Sequence, residues 1–376
     1  MIRQCLMKAA AAAGAFAGSP AMAETDRGLR FGANYTSDSF ANLRGGLNTG
    51  FSYMGLLELT AEAKGRAFGI EGVEAFANVQ HVHGRSLSGQ LIGDAQVTSN
   101  IDAPDGLRLF EAWVSVPVAK DGYVKAGLID LNSEFDVQDV GALFLNSSHG
   151  IGPDFSQSGL NGPSIFPTTS AGVVAAISTG RVTLRAGVLD AVSGDPERPG
   201  RTVVRFPGEN GLLAVAEAEL RVADSAQFQL GAWTYTSEFE TIRAGSRRTG
   251  NRGAYVMAQS DLGSLSGESV EGWVRVGVAD TRFNDIGLYV GGGVTIGPEE
   301  RLLGLAVAHA RLGSPTREDL LRYPEDSETI VEATYAHAVG DRLIVQPAVM
   351  YVVNPGFERS LQDSLVAGVR LHLRIF

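Results

Sequence analysis

The sequence predicts an all-β fold: a sixteen-stranded antiparallel transmembrane β-barrel of the outer-membrane type, with one long loop folded inward as a constriction. Three observations predict it. Hydrophobic residues make up 44% of the chain, yet no segment carries eighteen consecutive apolar residues, so the hydrophobicity is spread by alternation and helical spans are excluded. Runs with a two-residue period recur sixteen times, and a single-chain bacterial barrel needs an even number. The connections between the runs alternate short and long, as periplasmic turns and external loops do.

The N-terminus sets the compartment. Arg3 and Lys8 supply a positive start, residues 9–17 a short apolar core, and Ala21-Met22-Ala23 a small-x-small cleavage site. Residues 1–23 read as a secretory signal peptide, and 24–376 as a single barrel domain. The lone cysteine, Cys5, leaves with the signal, so disulfides play no part and strand pairing must supply the stability. The formal charge of −11 becomes −13 without Arg3 and Lys8, which excludes nucleic acid as a partner. A barrel implies outer-membrane lipid and the barrel-assembly machinery as partners, and leaves a homo-oligomer open.

The first strand is expected over 28–36, with Leu29, Phe31, Ala33 and Tyr35 on one face. Further strands are expected over 54–63, 70–82, 106–118, 122–131, 171–180 and 181–191. The second half gives 211–222, 226–238, 253–262, 269–279, 285–296, 301–312, 328–338, 342–352 and 364–376. The last closes the barrel. Leu365, Ala367, Val369, Leu371, Leu373 and Ile375 share one parity, Val366, Gly368, Arg370, His372 and Arg374 the other. Its apolar parity is one residue out of phase with the terminal Phe376. Long links are expected at 37–53, 83–105, 132–170, 192–210, 239–252, 313–327 and 353–363; 280–284 is short. The link 132–170 is long enough to be functional and is expected inside the lumen.

With lipid outside, the apolar parity faces out and the other lines a water-filled lumen. In 211–222, Glu217, Glu219 and Arg221 point in. In 269–279, Glu271, Trp273 and Arg275 do so, and in 226–238, Gln227, Gln229, Trp233 and Tyr235. In 106–118, Phe110, Ala112, Val114 and Val116 face lipid, leaving Glu111, Trp113 and Ser115 inward. Arg181, Arg185 and Arg370 join the lumen set, with Glu74, Asn78 and Gln80. Strand 301–312 does not phase.

All three tryptophans thus fall on the lumen parity, away from the lipid interface where barrels usually place them. Two roles are open. An indole beside Glu, Arg and Gln offers a pyranose an apolar face and a hydrogen-bonding rim. Alternatively, Trp113, Trp233 and Trp273 wedge the inward loop in place. The charges are equally open, since Glu217–Arg221 and Glu271–Arg275 are candidate ion pairs of the wall. Six histidines show no metal-ligand spacing, and no GxSxG, HExxH or P-loop occurs, so no enzyme, metal or cofactor is expected. His81 and His83 lack a carboxylate cluster. Gly291-Gly292-Gly293, inside a strand, marks a bend or a close backbone approach.

Several motifs point further. Phe110-Glu111-Ala112-Trp113 precedes Lys125-Ala126-Gly127-Leu128-Ile129-Asp130-Leu131-Asn132-Ser133-Glu134-Phe135. Then follow Leu143-Phe144-Leu145-Asn146-Ser147-Ser148-His149-Gly150-Ile151-Gly152-Pro153-Asp154-Phe155-Ser156 and Ser158-Gly159-Leu160-Asn161-Gly162-Pro163. Gly45-Gly46-Leu47 and Tyr351-Val352-Val353-Asn354-Pro355-Gly356 accompany them. The sequence resembles the OprB family of carbohydrate-selective porins. The resemblance implies a sixteen-stranded outer-membrane barrel that passes sugars, glucose in particular, by facilitated diffusion. Glu134, Asp154 and Asn161, in the long loop, then join the candidates for the solute path. A general diffusion pore with weak ion selectivity is the alternative.

Overall fold

The computed structural model describes residues 23–24, 28–204, 210–223, 226–243, 245–318 and 324–376. The expected signal peptide, 1–23, lies outside the described residues except at its last position. Seventeen strands share one sheet; one is the two-residue piece Ala23–Glu24, and the other sixteen form the wall. They are β1 (Leu29–Arg44), β2 (Gly50–Lys64), β3 (Glu74–Gly84), β4 (Gly106–Ala119), β5 (Gly122–Ile129), β6 (Ser170–Thr179), β7 (Val182–Asp190) and β8 (Leu212–Ala223). The second half contributes β9 (Ala226–Tyr235), β10 (Arg252–Leu265), β11 (Glu268–Ala279), β12 (Ile286–Ile296), β13 (Arg301–Leu312), β14 (Ser327–Val339), β15 (Leu343–Val353) and β16 (Ser364–Arg374). Each pairs antiparallel with the next, and β16 pairs with β1, so the sheet closes and no edge remains.

The alternation dictates this outcome. On β9, Phe228 and Leu230 are exposed on the outer face while Gln229, Trp233 and Tyr235 are buried on the inner one. On β8, Glu217 and Glu219 point in. On β13, which did not phase, Leu303, Leu305 and Val307 face out, and the inner positions are Gly304, Ala306 and Ala308, too small to register as a face. The short turns need little chain. Between β10 and β11, Ser266 and Gly267 both adopt positive φ, 54° and 88°, the twist that suits a two-residue hairpin.

Two expectations are corrected. β1 runs eight residues beyond the predicted end at Thr36, and the first external link shrinks to 45–49. The outer face of that extension is Ser37, Ser39, Ala41 and Leu43, polar or small except at its last position, so the alternation is muted. On β4, Phe110 does not face lipid. A β-bulge falls between the Asn78–Glu111 and Val79–Leu109 pairs, which turns Phe110 inward against Phe166, ring centroids 6.2 Å apart. Gly291 continues its strand without a break, and a Cβ there would lie 2.1 Å from the Tyr289 hydroxyl, the close approach foreseen.

Candidate functional site

Two segments enter the lumen from the long-loop end: residues 130–169, as expected, and residues 85–105, which sequence reasoning left outside. Their seats differ. The segment 85–105 lies on apolar wall. Its Leu87, Leu91, Ile92 and Ile101 pack with Phe40, Met54, Leu56, Ile330, Met350 and Val352, all inward-facing at the outer ends of β1, β2, β14 and β15. Burying each side chain of this size stabilises by about 1.5–3 kcal/mol, so this part of the lumen is a core, not a channel.

Carboxylates hold the backbone of both segments. Glu328 on β14 accepts the N–H groups of Ala95 (2.8 Å), Gln96 (2.9 Å) and Gly356. Four residues further along the same face, Glu332 accepts those of Leu145 (2.8 Å) and Asn146 (3.1 Å). Asn146 in turn donates to the carbonyls of Gln96 and Val97, which ties the two segments together. A buried carboxylate is tolerated where N–H donors converge on it.

The segment 130–169 is latched by charge. Arg275 on β11 is fully buried and reaches Asp136 (2.7 Å) and Asp154 (2.7 Å), both fully buried in the segment. The rings of Tyr255 and Tyr289 flank the guanidinium at 5.0 and 5.4 Å. The fit demands glycine: a Cβ on Gly152 would stand 2.0 Å from the guanidinium, and one on Gly277 2.1 Å from the Asp154 carboxylate. The Asp136 N–H and the Tyr255 hydroxyl donate to Glu217 at 2.8 and 2.6 Å. Apolar contact completes the seat. Trp233 stacks on Phe155 at 5.0 Å, and Trp273 packs with Val140, Leu143 and Phe144. His149 meets Trp273 edge-on at 5.6 Å. Burial pushes the His149 imidazole down to about 3, so it is neutral, and its 3.7 Å approach to Glu332 is a contact with a carboxylate already engaged by two N–H groups.

The wall below is polar and ion-paired. Arg185 bridges Glu217 (3.1 Å) and Glu219 (2.8 Å), and Arg221 pairs with Glu219 at 3.1 Å. A closed sixteen-strand sheet, two inward segments and a charged lumen make a narrowed pore. Residues 48–374 match the family model described as carbohydrate-selective porin, OprB family.

The chain belongs to the OprB family. As a porin of that family it resides in the bacterial outer membrane. Its fold is similar to the high-pH structure of Pseudomonas putida OprB, with a TM-score of 0.82 at 17% identity over 93% of this chain and 95% of that one. The low-pH structure of the same protein gives 0.59 at 15% identity, covering 93% of each chain. A mutant Rh. blastica porin gives 0.55 at 13% identity over 92% of this chain and all of that one. No curated protein sequence matches the chain.

The porin's structure redistributes the expected lumen set. Glu134, Asp154, Glu217, Glu219, Trp233, Tyr235, Trp273, Arg275 and Arg370 are buried and present no face to solute. Trp233 and Trp273 lie under the segment 130–169, so the wedge role describes them. Tyr235 meets Ser158 at 3.0 Å, Glu134 takes Tyr123 and Lys125, and Arg370 chelates Asp38 at 2.7 and 2.8 Å. Both proposed ion pairs are wrong. Glu217 pairs with Arg185, which stands directly opposite it, and Arg275 pairs with the inward segment rather than Glu271. Residues four apart on a strand are far apart, whereas cross-strand neighbours touch. Arg181 is not in the wall: it sits in the turn before β7, exposed, donating to the Val222 carbonyl at 2.8 Å.

A smaller group stays open to water. Trp113 is half-buried, its indole N–H on Glu111 (3.1 Å), itself buried, its ring on Phe76 (5.3 Å) and under the Lys125 ammonium (4.0 Å). Arg185 and Asn161 are half-buried, Arg221 and Glu271 exposed. Asn161 donates to the Ser193 carbonyl at 2.6 Å. Missed were Asp38, Glu328, Glu332 and the apolar upper wall. The signal for the last was present: Leu56, Ile330, Val352 and Val366 are apolar residues on the lumen parity.

Proposed function

We propose that the chain carries glucose-like monosaccharides across the outer membrane by facilitated diffusion, with no catalytic step. Membership of a carbohydrate-selective porin family supports the solute class. The observation that carries the finer reading is the lumen narrowed by two latched segments, with Trp113, Arg185, Arg221, Glu271 and Asn161 left facing water. The part of the Trp113 indole left uncovered by Phe76 and Lys125 supplies apolar contact, and the lumen charges supply partners for hydroxyls. Affinity stays modest, because a solute held tightly does not leave. Outer-membrane lipid surrounds the apolar face, and the barrel-assembly machinery inserts it; association into a homo-oligomer is compatible with that face.

Reconstitution in planar bilayers tests this. Glucose is expected to reduce ionic conductance saturably, and disaccharides to do so less. A channel whose conductance is blind to both sugars is instead a general diffusion pore.

A further inference from the structure

The segment 85–105 does more than fill the upper lumen. It walls a cavity of about 730 Å³, within the range that holds small ligands, lined by Ser86, Ser88, Gln90, Asp94, Asp102 and Asp105 among others. Gln90 and Asp105 are exposed, so the cavity opens at the outer mouth. Its three carboxylates have no cation among the lining residues. Two arginines stand close to it and keep their charge: Arg85 donates to Gln90 at 2.7 Å, and Arg108, beside Asp105, donates to the carbonyls of Pro104 and Pro199, so the three carboxylates outnumber these cations by one.

The carboxylates differ in how they are satisfied. Asp102 accepts the Ser86 hydroxyl at 3.0 Å and the Ser88 N–H at 2.9 Å through one oxygen. Asp94 accepts the Thr98 hydroxyl at 2.9 Å through Oδ2. Its Oδ1 is buried and accepts no hydrogen bond of ordinary length, with the Ser88 hydroxyl close by, and 9% of the residue's surface is exposed. A buried acceptor left unpaired at the wall of a polar cavity is a place for a donor from solution.

We propose that this vestibule is an outer recognition site that admits neutral and cationic polyols and turns away anionic sugars. Asp94 and Asp102 accept hydroxyl or ammonium hydrogens of the entering solute, and Asp105 sets the field at the rim. The inference rests on the carbohydrate reading above and adds charge to it. Carboxylate acceptors give short, charge-assisted hydrogen bonds to donors. The same charges in a concave mouth repel a uronate or a sugar phosphate before it reaches the constriction.

Liposome swelling with the full-length protein tests it, using glucose, glucosamine and glucuronate at low ionic strength. Glucuronate is expected to enter at least about threefold more slowly than glucose, the effect of roughly one kT of repulsion, with glucosamine no slower than glucose. Asp105→Asn and the double variant Asp94→Asn/Asp102→Asn should each narrow the glucose-to-glucuronate gap. High salt should do the same to the native protein, since screening shortens to about 3 Å at 1 M. Single-channel KCl conductance verifies that each variant is an open barrel, and Asp105→Asn, at an exposed position, keeps the test alive if the double variant gives no channel. Glucuronate entering as fast as glucose, or a gap unchanged in every conducting variant, overturns the proposal. A channel that conducts KCl but passes no glucose overturns the carbohydrate reading instead.

Discussion

The two inward segments reach the same lumen by different physics. Residues 85–105 rest on an apolar wall and are held by backbone N–H groups on Glu328. Residues 130–169 cross a polar wall and are held by Arg275 between Asp136 and Asp154, with stacked rings around them. The first is seated like a piece of protein core, whose stability grows with buried area. The second is seated by a buried ion triad, in which the loss of any one member strands the others. The first leaves an acidic cavity at the mouth; the second crosses the lumen over the polar wall.

Breaking the triad should have the largest effect. Arg275→Met leaves two carboxylates buried without a cation, a loss of about 3–5 kcal/mol. Residues 130–169 should leave their seat while the barrel stays closed. Single-channel conductance should rise severalfold and protease should cut within the segment. Conductance equal to the native value would mean that the apolar contacts hold the segment without the triad.

Glu328→Gln attacks the other seat. The amide offers one acceptor oxygen, uncharged, in place of a carboxylate that takes three N–H groups, and the loss is about 1.5–3 kcal/mol. Amide exchange at Ala95 and Gln96 should quicken with little change at Asn146. Equal acceleration in both segments would show that their mutual contacts make them one unit.

Acid should sharpen the contrast through His149. Burial holds the ring neutral down to about 3, whereas in a displaced segment it titrates near its ordinary value. The displaced state therefore binds the extra proton, and the seat weakens as pH falls from neutrality, by about 2 kcal/mol at pH 5. Burial pushes the carboxyls of Asp130 and Asp136 up, which acts in the opposite sense. Comparison of the native protein with His149→Phe cancels their contribution. The difference in exchange at residues 145–150 between the two proteins should grow as pH falls from 7 to 5; a constant difference rejects the neutral histidine.

The smallest effect concerns Trp113, with the buried Trp233 as its counterpart. Trp113→Ala should weaken sugar block by about tenfold or less, since an aromatic contact contributes roughly 0.5–1.5 kcal/mol. Trp233→Ala removes the ring that Phe155 stacks on, so it should loosen residues 130–169 and raise conductance. Equal loss of sugar block with unchanged conductance in both variants would return Trp233 to the solute path.

The sequence by itself determined the wall. Alternation on sixteen strands, the even count and the short and long links are local properties, and lipid on one side makes the apolar parity unambiguous. The inward course of residues 130–169 also followed from length and motif. Only the tertiary structure decided what the inner face does. Parity says that Arg275, Glu217 and Trp233 point inward, and they do, but it is silent on what meets them there. Ion-pair choice depends on register, which sets Arg185 opposite Glu217, and on a loop that arrives from far along the chain, which gives Arg275 its two aspartates. The second inward segment was missed because the inner face was assumed wet. Leu56, Ile330 and Val352 on the lumen parity argued otherwise, since apolar side chains at the outer ends of the strands need a cover. Which inward residues touch solute and which touch protein is a question of burial, and burial is a property of contacts between distant parts of the chain.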